Sequence, residues 1–184
     1  MSPDRRPSRE ELLGAAGRTI PDVLAPGLRV VFVGINPGLY SGAVGHHFAR
    51  PGNRFWKALH GAGFTDRVLD PSEDATLPSI GLGVTNLVAR ATASAAELRR
   101  DELREGRRRL ERIADELRPR FVAVLGLGAY RTAFDRPGAI EGPQGSERLG
   151  PAALWLLPNP SGLNAHHQLP DLIERFAELR RASG

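Results

Sequence analysis

Four stretches of the chain are apolar at nearly every position: Leu28 to Ile35, Val84 to Val88, Phe121 to Gly126 and Leu154 to Leu157. Unbroken apolar runs of this length, rich in β-branched residues and bounded by turn residues, predict strands buried on both faces. Between them the apolar positions return at helical spacing. Leu98, Leu103, Leu110, Ile113 and Leu117 mark one stripe of a long arginine-studded helix that Pro119 ends. Leu169, Leu172, Ile173, Phe176 and Leu179 give a last helix its buried face, with Pro170 in the tolerant first turn. Phe55, Trp56 and Leu59 follow the capping residue Asn53, and a short helix is expected from near Gly128. Ser8 with Glu11, and Ser94 with Glu97, have capping-box spacing, the first opening a short helix through Leu12, Leu13 and Ala16. The order β-loop-α-β-α-β-α-β-α predicts one α/β domain over residues 1–184 with a small, mostly parallel, four-stranded sheet. Residues 1–27 form an N-terminal helix and turn, and the core spans about 28–182.

The segments without a period are as informative. Leu39 to Gly52 reads as one long glycine-bearing loop, and Pro71 to Gly83 as a turn-rich stretch. Two strands end in Asn36-Pro37-Gly38 and Asn159-Pro160-Ser161-Gly162, which places both turns at the carboxyl edge of the sheet, where α/β folds bind ligands. Asn36 is either a turn asparagine or an amide aimed at a ligand. Phe48 is either a plug for the local core or a stacking platform for a base. The pairs His46-His47 and His166-His167 raise the thought of a metal, but adjacent residues seldom reach one ion and no carboxylate has ligand spacing. Gly126-x-Gly128 is half of a phosphate-binding fingerprint, too little to support a nucleotide-binding enzyme without its third glycine or a P-loop lysine. There is no Gly-x-Ser-x-Gly elbow.

Composition narrows the chemistry further. With no cysteine, disulfides, thiolate nucleophiles, iron–sulfur clusters and cysteine-held zinc are excluded. The 25 basic residues against 21 acidic ones give a net charge of +4, and Lys57 is the only lysine. Arginine forks phosphates well, so a nucleic-acid partner is permitted, though an arginine-rich codon bias gives the same count. No apolar run approaches the roughly 20 residues of a membrane span. Met1 to Arg9 is polar, so a cytoplasmic protein with no membrane partner is expected.

Four blocks, in order, carry a resemblance: Gly34-Ile35-Asn36-Pro37-Gly38-Leu39; Phe48-Ala49-Arg50-Pro51 with Asn53-Arg54-Phe55-Trp56-Lys57; Gly83-Val84-Thr85-Asn86-Leu87-Val88; and Leu157-Pro158-Asn159-Pro160-Ser161-Gly162-Leu163. From about Arg29 to Leu179 the chain resembles the mismatch-specific uracil/thymine DNA glycosylases of the uracil-DNA glycosylase superfamily. The resemblance implies a three-layer α/β/α fold and excision of uracil, or thymine and damaged pyrimidines, opposite guanine in duplex DNA. It implies base excision repair by a monofunctional hydrolase that uses no metal or cofactor, and a monomer is expected because a base-flipping enzyme needs one face free. A catalytically weak module that binds DNA lesions or abasic sites is the alternative.

Residue by residue, the resemblance makes Asn36 the catalytic asparagine and Phe48 the ring that stacks on the extruded base. Backbone donors near Ile35 and Phe48 face the departing base, and Ser41, Asn86 and Asn159 complete the substrate pocket. Gly162 and Leu163 match the wedge that fills the gap in the duplex. Ser161, Asn164, Ala165, His166, Arg50 and Arg54 are then contacts to phosphates or to the opposite strand. Two positions depart from the family pattern. Ala165 stands where some members have arginine. Ala89, in Val88-Ala89-Arg90-Ala91-Thr92, stands where an acidic residue is common. If that acid assists the water, Ala89 marks a lost catalytic position and Ala89→Asp raises excision.

Overall fold

Each of the central strands puts alternate side chains on opposite sides, and both sides are dry. In the computed structural model, which describes residues 6–184, Val30 and Phe32 of β1 (Val30–Gly34) pack on one face and Val31 and Val33 on the other. The first face carries α3 (Phe55–Gly61) and α6 (Leu169–Ser183), which pack on each other through residues such as Leu59, Leu172 and Phe176. The second carries α4 (Arg100–Leu117) and α5 (Leu127–Ala133), with Leu110, Ala114, Tyr130 and Ala133 in its core. The result is three layers, α/β/α. Burial on both sides is what turns the strands into unbroken apolar runs.

β2 (Leu82–Asn86), β1, β3 (Phe121–Leu125) and β5 (Ala152–Leu157) are parallel neighbours in that order. A fifth strand, β4 (Gly142–Leu149), is added antiparallel at the β5 edge, with a register shift between Pro143 and Arg148. The sequence pattern leads to four strands because β4 is polar and half-exposed, the composition of a blunted edge. The long loop after Asn36-Pro37-Gly38 also holds a helix, α2 (Leu39–Val44), which ends at Gly45 with φ 83°. At six residues with Gly42 inside it, α2 is too short to print a period.

The caps fall close to their expected places. Ser8 and Glu11 cap α1 (Arg9–Leu13), which stops before Ala16. Asn53 Oδ1 accepts from Phe55 N–H at 2.9 Å to start α3. Ser94 and Glu97 cap a 3-10 turn, and α4 begins afresh at Arg99. Pro71–Ile80, expected as turns, is a 3-10 segment capped by Asp70. The polar stretch ahead of α1 lies partly, at residues 1–5, outside the described residues. No helix among the described residues is long and apolar enough to cross a membrane.

Candidate active site

The four parallel strands all end at one edge, and there the chain opens a cleft of about 670 Å³ between the turn after β1 and the turn after β5. Asn36 stands on its wall, half-buried. Its amide nitrogen donates to the carbonyl of Arg90 at 3.0 Å and to Thr92 Oγ1 at 2.7 Å. The Thr92 hydroxyl in turn donates to the Ser94 carbonyl at 2.9 Å. With both amide hydrogens held by the fold, the group that Asn36 offers to the cleft is its oxygen, an acceptor. The Arg90 carbonyl is itself staked, because the Arg90 guanidinium forks Glu102 on α4 at 2.6 and 3.0 Å. That hydrogen bonding is the main cause holding the Glu102 carboxyl down to about 2. Thr92 carries no role in the sequence reading; its place in Arg90-Ala91-Thr92 is the one signal for it.

Phe48 forms another wall, and its backbone has φ 53°, a strained conformation for a bulky residue. Neighbouring bonds hold it there. His47 N–H donates to buried Asp74 at 3.0 Å, Trp56 Nε1 donates to the His47 carbonyl at 3.3 Å, and Ala49 N–H donates to Ser41 Oγ at 3.1 Å. One face of the Phe48 ring stacks on Phe55, with centroids 4.1 Å apart and planes 24° apart. One face of the ring thus seals the core, as a plug would, while the residue also lines the cleft.

The floor is the paired ends of β1 and β2, where Gly34 lies opposite Asn86. A Cβ at Gly34 would come within 2.5 Å of Asn86 Oδ1 and 3.2 Å of the Phe48 ring, so only glycine lets the two meet. Behind Asn86, the buried His47 imidazole uses Nε2–H toward the Pro21 carbonyl at 2.9 Å, which leaves Nδ1 to accept from Asn86 Nδ2 at 3.4 Å. Burial is the main cause holding the His47 pKa below its ordinary value, and it keeps the ring neutral. His46 instead turns its Nδ1 to Asp74, so the adjacent histidines face different partners. Among the described residues no group of three metal-ligating side chains comes together.

The far wall is the turn after β5. Asn159 Oδ1 accepts from Ser161 N–H at 2.9 Å, Asn164 Nδ2 donates to the Asn159 carbonyl at 3.0 Å, and Asn164 Oδ1 accepts from His166 N–H at 3.1 Å. These groups fold the turn back on itself and lift Leu163 out, 75% exposed. Ile35, Ser41, Asn86, Asn159, Ser161, Leu163, Asn164, His166 and Arg50 join Asn36 and Phe48 around the cleft, whereas Gly162 and Ala165 sit on the exposed rim of the turn. Two placements correct the expectations. The Arg54 guanidinium is turned inward onto carbonyls of this turn instead of being offered to phosphate. Ala89 lies outside the cleft, exposed on a shallow groove beside Arg99, Glu102 and Arg109 of the α4 region. After Val88 N–H pairs with the Ile35 carbonyl, the chain leaves the sheet and points residue 89 away from Asn36.

Among the described residues the one carboxylate on the cleft wall, Glu141, is engaged by His167 at 3.2 Å and Arg175 at 3.7 Å. What the cleft offers is an oriented amide facing an aromatic wall, with an apolar side chain standing over the mouth. Such an arrangement can orient a water molecule beside a planar group held against the Phe48 ring. Comparison with known proteins agrees. Residues 21–181 match the sequence profile of the uracil DNA glycosylase superfamily, and the chain belongs to that superfamily of hydrolytic DNA glycosylases. The fold is also similar, with a TM-score of 0.57 and 18% identity over 91% of this chain and 99% of the other, to the solution NMR structure of a candidate uracil DNA glycosylase from Methanosarcina acetivorans.

Proposed function

We propose that the protein excises uracil, and thymine or damaged pyrimidines, from mismatches with guanine in duplex DNA, as a monofunctional, monomeric enzyme of base excision repair in the cytoplasm. The observation that supports this most directly is the clamped Asn36 amide, whose oxygen is left to the cleft. In a duplex the target base is out of reach, so it must be turned out of the stack at a cost of a few kcal/mol, least for a mismatched pair. Leu163, exposed at the rim, fills the vacated space, and the base slides between the Phe48 ring and the turn after β1. As the N-glycosidic bond lengthens, its electron pair goes to the base and the sugar becomes cationic. Asn36 Oδ1 accepts a hydrogen bond from a water molecule and turns its lone pair toward that carbon, where the new C–O bond forms as the water's proton passes to the departed base anion or to solvent. A weak base suffices because the electrophile is strong, and orientation supplies the rate. Backbone N–H groups at Ile35 and Phe48 stabilise the charge growing on the departing base, while Asn86, whose Nδ2 is turned to His47, offers its oxygen to an N–H of the base.

The test is single-turnover base release from G:U and G:T duplexes and from single-stranded uracil DNA. Release from G:U well above that from single strands supports the mismatch reading. Release that ignores the opposite base overturns it, and tight binding without release turns the protein into a lesion-binding module.

A further inference from the structure

We infer that Arg54 is a positioning residue that holds the wedge in its projecting shape, a role that rests on the glycosylase reading above. From the start of α3 its guanidinium donates to three carbonyls of the turn after β5: His167 at 2.5 Å, Ser161 at 2.6 Å and Asn164 at 3.1 Å. Its Nε also reaches the Pro160 carbonyl at 3.4 Å, and its own N–H donates to the same carbonyl at 3.0 Å. The bonds thus reach both ends and the middle of the segment that carries Leu163. A planar fork of donors can grip several carbonyls in fixed geometry, which an ammonium point charge cannot. The segment also leans on the chain just before α3, since a Cβ on Gly162 would come within 2.7 Å of the Gly52 carbonyl oxygen. One short stretch, 52–54, therefore sets the height of the wedge, more than 100 residues away in sequence. Pre-shaping matters because an ordered turn enters the duplex without first losing its own freedom.

Single-turnover uracil release is to be measured for Arg54→Met, Arg54→Lys and Leu163→Ala, alone and combined, on uracil opposite guanine and opposite an abasic site. With guanine, both Arg54 variants should lose on the order of 10- to 100-fold, the scale of a misplacement by about an ångström. Opposite an abasic site, where no pair resists opening, the loss should shrink to about threefold. Adding Leu163→Ala to Arg54→Met should cost little more, since both act through one wedge. Equal losses on the two substrates would overturn the inference. So would a near-complete rescue by lysine combined with a salt dependence of binding shallower by about one phosphate, which marks a direct phosphate contact. Should Arg54→Met fail to fold, Arg54→Lys carries the same comparison. Amide exchange separates the failure of the glycosylase reading from that of the strut. Faster exchange across 161–167 in Arg54→Met, with no change in Arg50→Met, supports the strut even if the native protein releases no uracil, and unchanged exchange refutes it.

Discussion

Thr92→Val removes a hydroxyl at nearly constant volume and tests the orientation of Asn36 without touching Asn36 itself. In the native fold the Asn36 amide nitrogen has three acceptors, Thr92 Oγ1 at 2.7 Å, the Arg90 carbonyl at 3.0 Å and the adjacent Pro37 carbonyl at 3.2 Å. The valine leaves the two carbonyls, of which that of Arg90 is the nearer. A hydrogen bond of this kind contributes about 1 kcal/mol, so the preference for the amide with its oxygen in the cleft weakens by that amount. The carbonyls still oppose a flipped amide, which would set oxygen against oxygen. The expected loss in the single-turnover rate on a G:U duplex is therefore about fivefold, well short of the roughly 100- to 1,000-fold expected of Asn36→Ala by analogy with removing an oriented polar group from an active site. The bond from Thr92 to Ser94 goes too, so stability should fall by about 1–2 kcal/mol and Tm by about 2–8 °C. Assays well below Tm keep the two effects apart, and Thr92→Ser, which retains the hydroxyl, should recover most of the rate. On an Asn36→Ala background the valine should cost nothing further, because no amide remains to orient. A rate within twofold of native for Thr92→Val, or a full fivefold loss in the Asn36→Ala background, would refute the reasoning.

Ala89→Asp should leave base release within about twofold of native, since residue 89 faces Arg99 and Arg109 instead of the cleft, and an exposed ion pair there adds at most about 1 kcal/mol to stability; a large gain in rate would show that the position reaches the reaction after all. Phe48→Ala should slow release by roughly 10- to 100-fold through loss of about 1–3 kcal/mol of base stacking, with lower Tm because the Phe55 contact is lost as well; a drop in Tm at an unchanged rate would leave Phe48 only its core role. Because burial lowers the pKa of His47 in the fold, the unfolded chain binds that proton more readily. The stability of the neutral ring is complete above about pH 6.5, the unfolded value, and is lost as pH falls through it toward the folded value. Urea midpoints at pH 7.5 and 5.5 should show this decline, and a slope unchanged in His47→Gln would assign it elsewhere.

The parts of the fold with one-dimensional causes were legible in the sequence. Burial on both sheet faces writes itself as apolar runs, and Asn-Pro turns at strand ends mark one edge, so Asn36 and Asn159 could be expected together there, whereas Phe48, Asn86 and Leu163 enter the candidate site only through the family resemblance because no period or spacing marks them. β4 escaped because an edge strand carries no apolar run, and α2 because six residues hold too few turns. Arg54 was misplaced for a different reason. An arginine beside a basic-friendly motif reads as a phosphate contact until the carbonyls that absorb its donors are known, and those belong to residues 160–167. Ala89 shows the same limit. Its neighbours Val88 and Arg90 both serve the Asn36 side of the sheet edge, one by pairing with the Ile35 carbonyl and one by presenting a carbonyl to the amide, yet the residue between them faces outward.

The pairing of Gly34 with Asn86 and of β3 with β5 has a consequence for how the protein gains activity as it folds. Every strand contact beneath the cleft is parallel and joins residues dozens of positions apart, and such pairings pay their loop-closure entropy before any contact repays it. The helices, α4 above all, can form locally and early. On refolding from denaturant, helical signal should return before catalysis does, because no fragment of the chain short of the joined sheet edge brings an oriented amide and a wedge to the same opening.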